Sequence, residues 1–205
     1  MRVQRHLSIA VPIPPSLPPS VVIAVLQTVS PVIRNLGTLS RYEETAAGGD
    51  PVASDPFFHT PPGSGPVTSY QIFELITLAP GLTKEVTYPA YFQRVGDGVR
   101  CRANGAAGIT GWCEFIVRPR QVADSPEGSA STPSTVADGG GGIGAGPEEY
   151  ELHESIVVEA NSLLMPFVCH TMGVAHRGLC DKVLQEAADK FSETQGWDYR
   201  HLGQG

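Results

Sequence analysis

The stretch Tyr150–Gly173, YELHESIVVEANSLLMPFVCHTMG, decides how this chain is to be read. Its first half alternates apolar and polar residues with the period of a half-buried strand. Its second half opens, almost without a turn, a run whose apolar residues recur every three or four positions. The pattern predicts a strand over 149–159 and a helix over about 162–191. The apolar stripe of that helix is Val168, Met172, Ala175, Leu179, Val183, Ala187 and Phe191. Alternation divides the strand into two faces, Leu152, Glu154, Ile156 and Val158 on one, Glu151, His153, Ser155, Val157 and Glu159 on the other. The first face is apolar except for Glu154, so it should pack on the helix and hold a carboxylate in apolar company. Adjacent strand residues point opposite ways, so His153 and Glu154 do not form a dyad.

Upstream, His6–Ile13 alternates as a strand, with Pro12 and Pro14 placing its end at a sheet edge. Ser20 is the expected N-cap of a short helix through Val29, and Ser30-Pro31 starts a second one that stops at Gly37. Leu39–Thr45 reads as a second strand, followed by a polar Gly/Pro-rich loop containing DPFFHTPPGSGP. Four strand-like runs follow, Tyr70–Leu78, Val86–Val95, Val99–Asn104 and Ile109–Val117, separated by APG, GDG and NGAAG as turn chemistry. This is an antiparallel meander. Residues 121–147 hold SPEGSASTPSTVADGGGGIGAG, with almost no large apolar side chain to offset ordering entropy, and are expected to be a disordered insertion. Residues 193–205 are expected to be a tail on a single domain that spans 1–205.

A chain of 205 residues suits one sizeable core. Its 14 Lys+Arg against 21 Asp+Glu, with no basic run, argue against nucleic acid and acidic membrane surfaces as partners. Cys101, Cys113, Cys169 and Cys180 form no C-x-x-C pair and no zinc-type spacing, which suggests reduced thiols in a cytoplasmic protein. No H-E-x-x-H, nucleophile elbow or P-loop appears, and GGGGIGAG opens no helix, so no metal and no cofactor is expected. Arg2 and Arg5 precede an apolar region, but prolines interrupt it and Val21–Leu26 is short for a targeting core or membrane span.

The order of a strand, two short helices, six more strands and one long C-terminal helix, with the junction ESIVVEANSLLMPFV, resembles the START-like helix-grip superfamily. This is the SRPBCC, or polyketide cyclase/dehydrase and lipid-transport, family. The resemblance covers nearly the whole chain and is architectural. It is nearest to a fungal branch of small START-like proteins that includes pyrone-forming polyketide cyclases of the aurovertin type. It implies an α+β fold in which a curved seven-stranded antiparallel sheet wraps the C-terminal helix and leaves a cavity between them.

Glu154 and His170 are the candidate bases. His170 lies near the helix N-terminus, where the dipole favours a neutral imidazole; His176, six residues on, is expected on another face as a surface or satisfied core histidine. Arg102 and Tyr91 are candidates to stabilise an oxyanion or enolate. His59 is a further catalytic candidate at the cavity mouth, with Phe58 beside it as part of an apolar lid. Tyr70 and Glu74, on one strand face, with Trp112 and Met172, are expected to line the substrate. Gly173 and Gly178 suggest close approach of the sheet or room for a ligand. The structural alternative for Glu154 is an ion pair with Arg100 or Arg102, for which Glu114 competes.

Two functions fit. One is a polyketide cyclase that folds a poly-β-carbonyl chain in an apolar cavity and closes a 2-pyrone. The other is a carrier or sensor of a lipid or other hydrophobic molecule. They are separated by whether at least two of Glu154, Arg102, His170 and His59 converge on one point. A polyketide synthase and a second copy of the chain are candidate partners.

Overall fold

The computed structural model describes residues 1–46, 52, 54–58, 64–120 and 149–202. Seven strands form one antiparallel sheet: β1 (Arg2–Pro12), β2 (Leu39–Thr45), β3 (Val67–Ala79), β4 (Leu82–Val95), β5 (Gly98–Asn104), β6 (Thr110–Pro119) and β7 (Tyr150–Asn161). Their order across the sheet is β1-β7-β6-β5-β4-β3-β2. Strand β1 is therefore an edge, as its terminal prolines require. Helices α1 (Pro19–Gln27) and α2 (Ser30–Arg34) follow β1, and α3 (Met165–Leu202) closes the described chain. The insertion expected over 121–147 and residue His59 lie outside the described residues.

Two expectations at helix ends change. Pro18 caps α1 instead of Ser20, with Pro19 at the first helical position, where its fixed φ fits and its missing N–H is no loss. Helix α3 continues to Leu202, past the residue 193 at which a tail was expected. Between α1 and α2, Val29 adopts φ 64, a conformation that costs an L-residue about 1–2 kcal/mol. Its side chain is buried among Val25, Leu26, Val32 and Ile33, which offsets that cost.

Helix α3 lies across β1 and β7 and against α1, which in turn covers β5 and β6. The buried face of β7 is Leu152, Glu154, Ile156, Val158 and Ala160, as alternation predicts. Cross-strand register carries this concave face outward. Glu154 sits opposite Ile9 on β1 and Phe115 on β6, Phe115 opposite Val99, and Ile156 opposite Cys113, itself opposite Cys101. Apolar side chains from both layers close over these positions; Phe115, Ile156, Leu152 and Leu179 are each at most 2% exposed.

Candidate functional site

Glu154 has no exposed surface, yet among the described residues no lysine or arginine pairs with it. Its partners come from α3. His176 Nδ1 lies 2.5 Å from Glu154 Oε1, and the Cys180 thiol donates to Oε2 at 3.6 Å. The His176 ring is nearly parallel to Phe115, 8° between planes with centroids 6.5 Å apart, so the aromatic ring opposite Glu154 also sets the imidazole's tilt. Only 16% of the His176 side chain is exposed. Cys113 on β6 completes the group: one donor atom each from Cys113, Glu154 and His176 lies within 4.8 Å of the others.

The thiols here are poor anions. Cys113 shares a hydrogen bond with Cys101 and is buried, and both effects, with the nearby Glu154 carboxyl, hold its thiol well above the ordinary range. Burial first, then Glu154, raises Cys180 in the same way. Further along the concave face, burial and the hydrogen-bonded carboxylate of Glu74 push the Tyr88 hydroxyl up. A polar file therefore crosses an otherwise apolar wall, from Glu74 and Tyr88 through Cys101 and Cys113 to Glu154, His176 and Cys180.

His176, expected as a surface or satisfied core histidine, is largely buried with its ring bonded to Glu154, and Cys180 joins it in this group. The signal was in the sequence. Counting Val168, Met172, His176, Leu179, Val183 and Ala187 gives the buried stripe, whereas Ala175 is exposed. Cys180 lies one turn after His176, so the two share a face.

Several candidates fall elsewhere. His170 is exposed on α3, off the buried stripe. Tyr91, Arg102 and Trp112 form one cross-strand row, but that row is on the convex face. There Asp55 receives hydrogen bonds from Arg102 at 2.7 Å and from the Trp112 indole at 3.0 Å. Burial alone would raise the Asp55 carboxyl, but the bonds from Trp112, the Phe57 N–H and Arg102 together hold it below the usual value. Arg100 pairs with Glu114 at 2.5 Å on the same face and donates to the Phe57 carbonyl. Both arginines are thus removed from Glu154, and the ion-pair alternative for that residue does not hold. Phe58, 6% exposed, packs edge-on against Phe57 beside this convex network and not as a lid over the concave face.

Other candidates do line the concave side. Tyr70 packs against Tyr42 and Phe92, Glu74 accepts from Tyr88, and the Met172 methyl lies over Gly111. A Cβ added at Gly173 or Gly178 would meet nothing within 4 Å, so neither marks a close approach of the sheet. The set Glu154, Arg102 and His170 does not converge; the convergence is Glu154 with His176.

A seven-stranded antiparallel sheet gripping one long C-terminal helix, with a polar group between them, defines a helix-grip α+β protein. Residues 2–189 match the family model described as "Domain of unknown function (DUF7053)", and the chain belongs to that family. No curated protein matches. Among solved structures the chain is similar to the di-domain ARO/CYC StfQ from the steffimycin biosynthetic pathway, with TM-score 0.52 and 8% identity over 92% of this chain and 52% of that one. It also aligns with the di-domain ARO/CYC BexL from the BE-7585A biosynthetic pathway at TM-score 0.49 and 11% identity, covering 90% and 50% of the two chains. TTHA0849 from Thermus thermophilus aligns at TM-score 0.47 and 11% identity over 93% and 99%. The chain spans about half the length of the two di-domain proteins. At 8% identity the likeness to StfQ is one of fold.

Proposed function

We propose that this protein is a polyketide cyclase that holds a reactive poly-β-carbonyl chain against the concave face and promotes lactonisation to a 2-pyrone. The observation that carries the reading is the Glu154–His176 pair, an acid and an imidazole joined between the sheet and the helix it grips, amid apolar walls. The fold shared with an aromatase/cyclase is compatible with it.

A carboxylate that accepts from His176 Nδ1–H fixes the tautomer whose Nε2 is a bare acceptor. Nε2 would take the enol proton, the enol oxygen would attack the thioester carbonyl, and the carbon–sulfur bond would break. The proton then passes from His176 to the departing thiolate, so the pair ends as it began. Tyr70 and Glu74 would contact the chain, and Met172 would shape the apolar wall. Confinement contributes by selecting one ring closure among several that such chains undergo. The reading places the protein in a reducing cytoplasm, where its four free cysteines stay thiols, with a polyketide synthase as the source of substrate.

The test is reconstitution with a synthetic poly-β-keto thioester, comparing wild type, Glu154→Gln and His176→Gln. The expected result is a 2-pyrone formed by the wild type above the spontaneous level and lost in both variants. Product profiles identical with and without protein would overturn the reading. Saturable binding without turnover would instead make the protein a carrier, a role the same apolar wall would serve.

A further inference from the structure

We infer that Cys113, Glu154, His176 and Cys180 form a binding site for a divalent cation of the zinc class. A glutamate with no exposed surface is held in a protein interior by a cation, a hydrogen-bonded imidazole or a shared proton, and groups that share a proton in this way can take a metal ion in its place. Among the described residues the arginines on the neighbouring part of the sheet, Arg100, Arg102 and Arg118, lie on the convex face and pair with Glu114, Asp55 and Glu151. What surrounds Glu154 is one imidazole and two thiols.

That donor set is specific. Thiolate, imidazole and carboxylate together select a borderline-soft ion that accepts tetrahedral coordination, and not calcium or magnesium, which take oxygen. The placement is equally so. Cys113 and Glu154 come from adjacent strands, while His176 and Cys180 stand one helical turn apart on the element that crosses them. Two ligands from a sheet and two from a helix at i and i+4 surround a point from opposite sides. Three of the donors already lie within 4.8 Å of one another, and Cys180 reaches the second carboxylate oxygen. Ligand bonds of about 2.0–2.3 Å require these side chains to draw together around the ion. The Phe115 ring stacked on His176 restricts the imidazole's motion.

Binding exchanges protons for metal: each ligating thiol releases its proton to solvent, and the metal takes the position between Glu154 Oε1 and His176 Nδ1 that a shared proton holds in the metal-free chain. The metal-free and metal-bound proteins are thus two states of one cluster. This inference goes beyond the cyclase reading and does not depend on it.

The experiment uses the full chain, stripped with a chelator and titrated with cobalt(II) as a spectroscopic stand-in for zinc. The expected result is one equivalent bound per chain, with a sulfur-to-cobalt charge-transfer band and the intense visible absorption of tetrahedral cobalt, both displaced by zinc. Cys113→Ser and Cys180→Ser should each weaken binding more than about 100-fold, beyond the 10–100-fold typical of outer-shell changes, and diminish the band. Cys169→Ser should leave both unchanged. Zinc should raise the melting temperature of the wild type and not of Cys113→Ser, a comparison made within each protein and so independent of how well the variant folds. Absence of the band at saturating cobalt, or a band undiminished in both serine variants, overturns the inference. Pyrone formation by chelated protein with no cobalt band at saturation would overturn the metal site and leave the cyclase reading standing, whereas a cobalt band without pyrone formation would do the reverse, so the two are separable.

Discussion

Replacing His176 with leucine isolates what the imidazole does for Glu154. In the wild type, the carboxyl is fully buried, bonded to His176 at 2.5 Å and to the Cys180 thiol at 3.6 Å. His176→Leu leaves only the weak thiol bond. Breaking a buried pair from one side costs about 3–5 kcal/mol, but the carboxyl has an escape, which is to take a proton. Neutralising an ordinary glutamate, pKa about 4.3, at pH 7 costs about 3.7 kcal/mol at 1.36 kcal/mol per pH unit, and that caps the loss. With 16% of the His176 side chain exposed, some solvent reaches the pair, and the expected destabilisation is about 2–4 kcal/mol. For a chain of this length that lowers the melting temperature by roughly 4–16 °C. The double variant Glu154→Met/His176→Leu removes both members of the pair at similar volume and should return to within about 1 kcal/mol of wild type. Urea unfolding at pH 7, with metal chelated, of wild type, the single variants His176→Leu and Glu154→Met and the double variant measures all of this. A single variant as stable as wild type, or a double variant less stable than either single, would refute the idea that the imidazole compensates the buried carboxyl.

Gly98→Ala should cost about 2–4 kcal/mol, because the new Cβ would sit 1.9 Å from the Phe115 carbonyl oxygen, a backbone atom that cannot move without parting β5 from β6; chemical denaturation checks it. Gly173→Ala, with nothing near its Cβ inside α3, should instead gain up to about 1 kcal/mol. Asp55→Asn should cost about 1–2 kcal/mol at pH 7. The lowered Asp55 carboxyl contributes stability that is fully present above its unfolded value and lost as pH falls below about 3.8 through the folded value, so the variant's acid unfolding should be flatter there. Burial and the neighbouring Arg118 lower the His153 imidazole. Its contribution is present above about pH 6.5 and lost as pH falls from there, and NMR titration of wild type against His153→Gln should show that loss only in the wild type.

The strand that carries Glu154 was legible because one of its faces is almost purely apolar, and a single charged residue does not obscure a run of Leu152, Ile156 and Val158. Strand β5 offered no such contrast. Arg100, Cys101 and Arg102 fix which residues share a face but not which face is concave, and two cysteines treated as isolated thiols hid the row Val99, Cys101, Cys113, Phe115. Once register joins Arg102 to Tyr91 and Trp112, all three leave the candidate site together. On α3 the error was one residue wide. Ala175 fits an apolar stripe by chemistry, His176 by angle, and packing follows angle; the imidazole is tolerated because β7 supplies its partner, which helix periodicity alone does not reveal. Ser20 failed as a cap for a comparable reason, since two prolines ahead of it had already set the backbone.

The sheet order has a consequence for how the chain is assembled over time. Arg2 pairs with Asn161 and Pro12 with Glu151, so the strand made first has its partner only after almost every other element exists. Strands β2 through β6 are joined by neighbour-to-neighbour pairing and can zip as they emerge, whereas β1 waits with Ile9 and Val11 uncovered. Such distant pairing slows folding, and during synthesis at about 5–20 residues per second it leaves the early strand without its ladder for many seconds. The prolines at its end and the Arg2, Arg5 and His6 side chains along it make that waiting strand a poor template for pairing with another chain. Closure of the whole domain, with α3 settling over β1 and β7, is then a late event in which the sheet and the Glu154–His176 contact form together.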